Sequence, residues 1–194
     1  RELFRSPDTR IHPTAIIEEG VSIGARTSIW DHVHIRKNTV IGENCIIGEK
    51  TYIAYDVKIG NGVKINSFVY MCTGVTIEDQ VMISAGTIFT NDRFPRAIEL
   101  DGQSLKTSGP TEETLKTIVR RGATIGAGCT IGPGVTLGEH CMVGMGSVVT
   151  RDVLPHQLVH GHPARPNGFV CICGEALPSQ LSCRKCRRKY SLSK

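Results

Sequence analysis

Bulky apolar residues recur along this chain at every sixth position. Ile11, Ile17, Ile23, Ile29, Ile35, Ile41, Ile47, Ile53, Ile59, Ile65, Met71, Ile77, Ile83 and Phe89 form an unbroken series, which resumes in phase as Val119, Ile125, Ile131, Leu137, Val143 and Val149. Four residues after each comes a small or β-branched side chain, among them Val33, Cys45, Thr51, Ala123, Cys129 and Ser147. An α-helix needs a period of 3.6 and a half-buried hairpin strand a period of two, so neither accommodates a period of six. Each hexad instead reads as a short strand with one bulky and one small inward residue. A turn follows, often with Gly directly after the bulky position, as at Gly24, Gly42, Gly126 and Gly144.

Three hexads close one triangular coil, so residues 18 apart lie above one another at about 4.8 Å per coil. Such a coil buries a single layer and is stable only against coils above and below it. The stacking predicts an outward column of Ile16, His34, Tyr52, Tyr70 and Ile88. Beside it runs a turn column of Lys37, Tyr55, Thr73 and Asn91, with Arg36 at its start. Between Phe89 and Val119 the period lapses into a segment rich in Pro, Gly, Ser and charge, predicted as a loop over 90–118. A loop this long in a compact domain is usually functional when the scaffold resumes in register behind it.

Composition and charge refine this picture. With 21 Gly against 10 aromatics, tight turns and small interior slots are favoured. No stretch approaches the roughly 18 apolar residues of a membrane span, and the first residues lack a secretory h-region, so membrane insertion is not expected and a cytoplasmic, reducing setting is. Residues 1–165 carry 17 basic and 17 acidic side chains, which argues against a nucleic-acid groove, whereas 166–194 carry 6 and 1. The cysteines divide likewise. Cys45, Cys129 and Cys141 occupy small inward slots as ordinary core residues, while Cys171, Cys173, Cys183 and Cys186 crowd into the tail as C-x-C-G-x9-C-x2-C. That spacing is similar to a zinc ribbon, with the tail's cations moderating the net −2 of four thiolates on Zn2+. The expected organisation is a lead-in over 1–10, a repeat domain over 11–165 and a Cys-rich zinc-binding tail over 166–194.

The hexads of residues 11–154 resemble the hexapeptide-repeat family of left-handed parallel β-helices. The resemblance implies an all-β fold of about seven coils and supplies the left-handed sense, which the spacing alone does not. The segments IWDHVHI (29–35), FTNDRFPR (89–96), KTIVRRGATIGAGCTIGPGVTLGE (116–139), VGMGSVVTRDV (143–153) and GHPAR (161–165) resemble one branch of it. That branch is the N-acetyltransferases of nucleotide-linked 3-amino sugars, nearest those of UDP-2-acetamido-3-amino-2,3-dideoxyglucuronate in O-antigen synthesis. It implies acetyl-CoA as co-substrate, a nucleotide sugar as acceptor and a homotrimer with sites between subunits.

Carried over by motif, Asn91 lies at the reacting amine, and an unprotonated amine needs orientation more than a strong base. Arg36, Lys37 and Arg96 are candidates for a diphosphate or carboxylate. His34, Tyr52, Tyr70 and Asp92 complete the expected sugar-nucleotide contacts. His34 stands three coils, roughly 14 Å, from the level of Asn91, too far for a shared reacting atom. The coenzyme surface is expected at Arg121, Gly126, Ala127, Gly144, Gly161, Pro163, Ala164 and Arg165. Two further readings stay open at this point, an O-acetyltransferase with a His base and a non-catalytic structural β-helix subunit.

Overall fold

The computed structural model describes residues 4–5, 8–106 and 109–192, with only the backbone of Phe4 and Arg5. The remaining parts of the expected lead-in (1–3, 6–7), loop (107–108) and tail (193–194) lie outside the described residues. Every hexad forms a strand of two or three residues, and these strands stack into three parallel faces. Face one runs from Phe4–Arg5 through Ser22–Ile23, Val40–Ile41, Lys58–Ile59, Val75–Ile77 and Thr117–Val119 to Thr136–Leu137. Face two begins at Arg10–Ile11 and includes Thr124–Ile125 and Met142–Val143. It ends in a parallel strand Gln157–Gly161, which turns back antiparallel as Ala164–Phe169. Face three carries Ile16–Ile17, His34–Ile35, Tyr52–Ile53, Tyr70–Met71, Ile88–Phe89, Thr130–Ile131 and Val148–Val149. No helix occurs among the described residues.

The register is the predicted one. His34 pairs with Tyr52, Tyr52 with Tyr70 and Tyr70 with Ile88. The coil begins earlier than Ile11, because Phe4–Arg5 already pairs with Ser22–Ile23; the lead-in has Arg5 where every later hexad has a bulky apolar residue, so its strand left no periodic signal. The core is the bulky series itself, with Ile35, Ile47, Ile53, Ile65, Met71, Ile83 and Phe89 fully buried. Threonines in the small slot are buried too, and their hydroxyls find partners: Thr27 Oγ1 donates to the Gly42 carbonyl at 2.9 Å and Thr39 Oγ1 to Ala54 at 2.9 Å. A buried hydroxyl without such a bond costs on the order of 1–3 kcal/mol. The core thiols are inert, as burial pushes Cys72 up to about 11 and Cys141 up to about 12.

The glycines after the bulky positions serve close approach. A Cβ on Gly126 would sit 2.5 Å from the Met145 amide nitrogen, and one on Gly24 only 2.6 Å from the Gly42 carbonyl carbon. The left-handed turn residue comes two positions later, and non-glycine side chains adopt it in the lower coils of the corner between faces two and three: His32 (φ 54°), Lys50 (φ 56°) and Phe68 (φ 59°).

Candidate active site

The chain leaves face three after Phe89 and re-enters face one at Thr117, so the loop ends at residue 116, two before its expected end. On re-entry it pairs Thr117 with Val75 and Thr130 with Ile88, so the stack is undisturbed. The excursion has structure of its own. Ile98 bridges Leu105 antiparallel, and the Asp101 carboxylate accepts from the Gln103 and Ser104 amides at 2.8 and 2.9 Å. Its returning limb seats Leu115 over Gly74, where a Cβ would lie 2.8 Å from the Leu115 carbonyl oxygen.

Folded back in this way, the loop overhangs the corner between faces three and one and bounds a half-open cavity of about 1040 Å³. Its floor is Arg36, Tyr52, Ala54, Tyr55, Tyr70, Cys72 and Thr73; its rim includes Asn91, Asp92, Arg93, Phe94, Glu99, Lys106, Glu112 and Glu113. Of the acceptor-site residues expected from sequence, Arg36, Tyr52, Tyr70, Asn91 and Asp92 meet at this cavity, whereas His34, Lys37 and Arg96 do not line it. Asn91 is half-buried, and among the described residues no partner engages its carboxamide. Asp92 instead accepts from the Phe94 amide at 2.7 Å and shapes the turn, and the Arg96 guanidinium donates to its neighbour Pro95 at 3.0 Å.

Beneath the cavity lies a network centred on Glu18, a residue that sequence reasoning missed. One carboxylate oxygen of Glu18 is 3.0 Å from His34 Nε2 and 2.5 Å from Arg36 Nε, and the other accepts from the Lys37 amide at 3.1 Å. Burial alone would raise the Glu18 pKa, but these bonds and the Arg36 charge hold it below the usual carboxylate value. Arg36 then donates to the Tyr52 hydroxyl at 2.8 Å and to the Tyr55 hydroxyl, with its guanidinium 4.2 Å from the Tyr55 ring centroid. Tyr52 stacks on Tyr70 at 5.2 Å and 6° and meets His34 edge-on at 5.4 Å. Glu18 could have been found through the one-coil offset that brings 18 beneath 36, the same offset that places Tyr55 above Lys37.

The opposite edge of face three changes character along its length. Where the corner between faces two and three carries His32, Lys50 and Phe68 in its lower coils, the upper coils carry Gly86, Gly128 and Gly146. A Cβ on Gly128 or Gly146 would meet nothing within 4 Å, so their small size is not imposed by packing. Gly126 and Gly144 are packed beneath the next coil, against Met145 and His160, and the Ala127 carbonyl accepts from the Gly146 amide at 2.8 Å. Above them Gly161, Pro163, Ala164 and Arg165 form the turn of the terminal hairpin, tied down by the Gly161 amide to Ser147 Oγ at 3.2 Å. Arg121 lies across face two from these glycines, at the corner between faces one and two, where its amide donates to Glu78 at 2.9 Å.

In the tail, two tight turns present Cys171, Cys173, Cys183 and Cys186 with their sulfurs all within 4.8 Å of one another. Cys171 and Cys186 are 3.3 Å apart and Cys173 and Cys183 3.6 Å, with all four thiols free. Tetrahedral Zn–S bonds of about 2.3 Å place sulfurs about 3.8 Å apart, and the observed set brackets that spacing. The Cys186 amide and the Arg188 guanidinium point at sulfurs, at 3.4 and 3.5 Å, as donors to thiolates do.

A family model described as bacterial transferase hexapeptide (six repeats) matches residues 20–55, 56–91 and 116–151. A stretch of 78 residues, 39% of this chain, is 42% identical to dTDP-3-amino-3,6-dideoxy-alpha-D-galactopyranose 3-N-acetyltransferase of Aneurinibacillus thermoaerophilus and spans only 40% of that relative's length. Among solved structures, the N-acyltransferase AntD from Bacillus cereus, in complex with dTDP and 3-hydroxybutyryl-CoA, is similar at a TM-score of 0.52 and 23% identity, over 84% of this chain and 80% of that one. The polySia-specific acetyltransferase NeuO is similar at 0.51 and 18%, over 82% and 84%. These two likenesses show the fold. Among the described residues no helix is long and apolar enough to cross a membrane.

Proposed function

Because the chain belongs to the bacterial transferase hexapeptide family, we propose that it transfers an acetyl group from acetyl-CoA to the 3-amino group of a nucleotide-linked sugar. The observation that carries this reading is the loop-bounded cavity with an unengaged Asn91 carboxamide at its rim. An amide oxygen there orients the attacking amine and an amide N–H meets the developing oxyanion, while tyrosines below offer flat surfaces to a sugar nucleotide. The amine loses its proton to water or buffer after attack, and CoA thiol leaves. The partial match to a dTDP-3-amino-sugar acetyltransferase supports the acceptor class.

The coenzyme is assigned to the upper part of that corner, where Gly128 and Gly146 take the left-handed turn beside the exposed Met145, with Gly126, Ala127, Gly144 and Gly161–Arg165 around it. Cavity and corner bound face three on opposite edges, so one chain does not bring donor and acceptor together. A homotrimer, in which a neighbour's corner faces this chain's cavity, resolves that separation. The tail thiols are read as a structural Zn2+ site, and reduced thiols with these substrates suit the cytoplasm. Incubating the protein with acetyl-CoA and a panel of UDP- and dTDP-3-amino sugars should release CoA with at least one of them; release with none overturns the proposal. The O-acetyltransferase reading rests on the Glu18–His34 pair at 3.0 Å and requires that replacing His34 abolish turnover.

A further inference from the structure

The two histidines of the last coils, His140 and His156, belong to no part of the cavity or the glycine corner, yet they are packed into a continuous chain of contacts that ends at the thiol cluster. The His156 carbonyl accepts from the Val170 amide at 2.7 Å, and His156 Nδ1 lies 3.0 Å from the Val170 carbonyl, so this residue grips both polar groups of the strand's end. Its ring packs against His140 at 5.3 Å on one side and against Tyr190 at 4.9 Å on the other. The Tyr190 hydroxyl lies 3.0 Å from Cys171 Sγ and accepts from the Ile172 amide at 3.1 Å. Cys171 and Val170 are buried although they lie beyond the last coil.

We infer that the tail and the terminal hairpin form one metal-closed unit, with Tyr190 as the positioning residue that connects the metal knuckle to the β-helix through His156. This deepens the reading of the four thiols as a Zn2+ site and rests on it. Four thiolates share one cation only if the two knuckles are held together, and hydrogen bonds to ligand sulfurs orient and tune them. Tyr190 belongs to the second knuckle's limb, its amide donating to the Leu181 carbonyl, while its hydroxyl reaches the first knuckle and its ring reaches the coil. Releasing the cation therefore frees the second knuckle, withdraws Tyr190 from His156 and loosens the grip on Val170. The hairpin of Gln157–Gly161 and Ala164–Phe169 hangs from that grip at the open end of the stack, where a solenoid has no further coil to cover it.

The test uses the full chain loaded with Zn2+, with metal content by atomic emission and amide hydrogen exchange by mass spectrometry. One Zn2+ per chain is expected. Chelation should speed exchange in 157–172 at least tenfold and leave the coils of residues 40–65 unchanged. Tyr190→Phe keeps the ring and removes the hydroxyl; it should still bind one metal, exchange several-fold faster at 170–172, and move the sulfur-to-metal charge-transfer band of the Co2+-substituted protein to lower energy. A Tyr55→Phe control should not move that band. Metal removal that leaves exchange in 157–172 unchanged, or a Tyr190→Phe band identical to wild type, overturns the coupling while the Zn2+ site stands. A chain that binds neither metal overturns both.

Discussion

Asn91 and His34 are three coils apart on the same edge of the molecule, and their surroundings separate their roles. Asn91 stands unengaged at the cavity rim, whereas His34 Nε2 is committed to Glu18 and lies outside the cavity lining. Replacing Asn91 with Ala should lower kcat ten- to a thousandfold, roughly 1.4–4 kcal/mol, with CoA affinity by calorimetry unchanged. His34→Ala should mainly raise the nucleotide-sugar KM, and the pH profile of kcat should follow the substrate amine. Turnover lost at unchanged KM in His34→Ala would instead support the His-base reading. Glu18 governs the acid side. Its carboxyl sits below its ordinary value, so its contribution is complete above the unfolded value of about 4.3 and is lost as pH falls through the lower folded one. The near-UV circular dichroism of the tyrosine stack should therefore hold at pH 5 and fade only as the pH falls below the ordinary glutamate value. Glu18→Gln should show the faded spectrum already at pH 7.

The corner between faces two and three offers an internal control at the level of the repeat. Its left-handed turn is occupied by Lys50 and Phe68 below and by Gly128 and Gly146 above, so backbone conformation alone does not explain the glycines. Gly146→Lys should fold, at a cost of about 1–2 kcal/mol for a left-handed non-glycine residue, and should weaken CoA binding at least tenfold. Gly126→Ala places a methyl 2.5 Å from backbone nitrogen and should lower Tm sharply regardless of ligand. Thermal melts paired with calorimetry separate the two effects. The same contrast explains what could be read in advance. The inward series was legible because every coil needs one bulky residue at the same place, so stacking and the columns on face three followed from arithmetic. Outward residues obey no such requirement. Arg36 resembled a free cation for phosphate, and only the folded coil shows it enclosed by Glu18, Tyr52 and Tyr55. The glycine after many of the bulky residues was legible as a turn element, but its reason, contact with the coil above, was not.

At the scale of the whole molecule, the donor and acceptor surfaces proposed above lie on opposite edges of one face, and the proposed reaction therefore calls for more than one copy. Sedimentation should give a trimer. Asn91→Ala and Gly146→Lys chains, each impaired alone, should regain activity when unfolded and refolded together, because a mixed assembly pairs one intact cavity with one intact corner. Recovery would not occur if each chain housed a complete site. The excursion over residues 90–116 has a consequence of another kind. The coil closes behind it with Ile88 opposite Thr130, the same alignment that uninterrupted coils keep at a spacing of 18, so the scaffold carries no memory of what was inserted. Selection can therefore lengthen, shorten or replace the segment without renegotiating the core. On the proposed function acceptor preference becomes an interchangeable cassette, and a transplanted loop from another member should change the sugar accepted while leaving the melting of the host untouched.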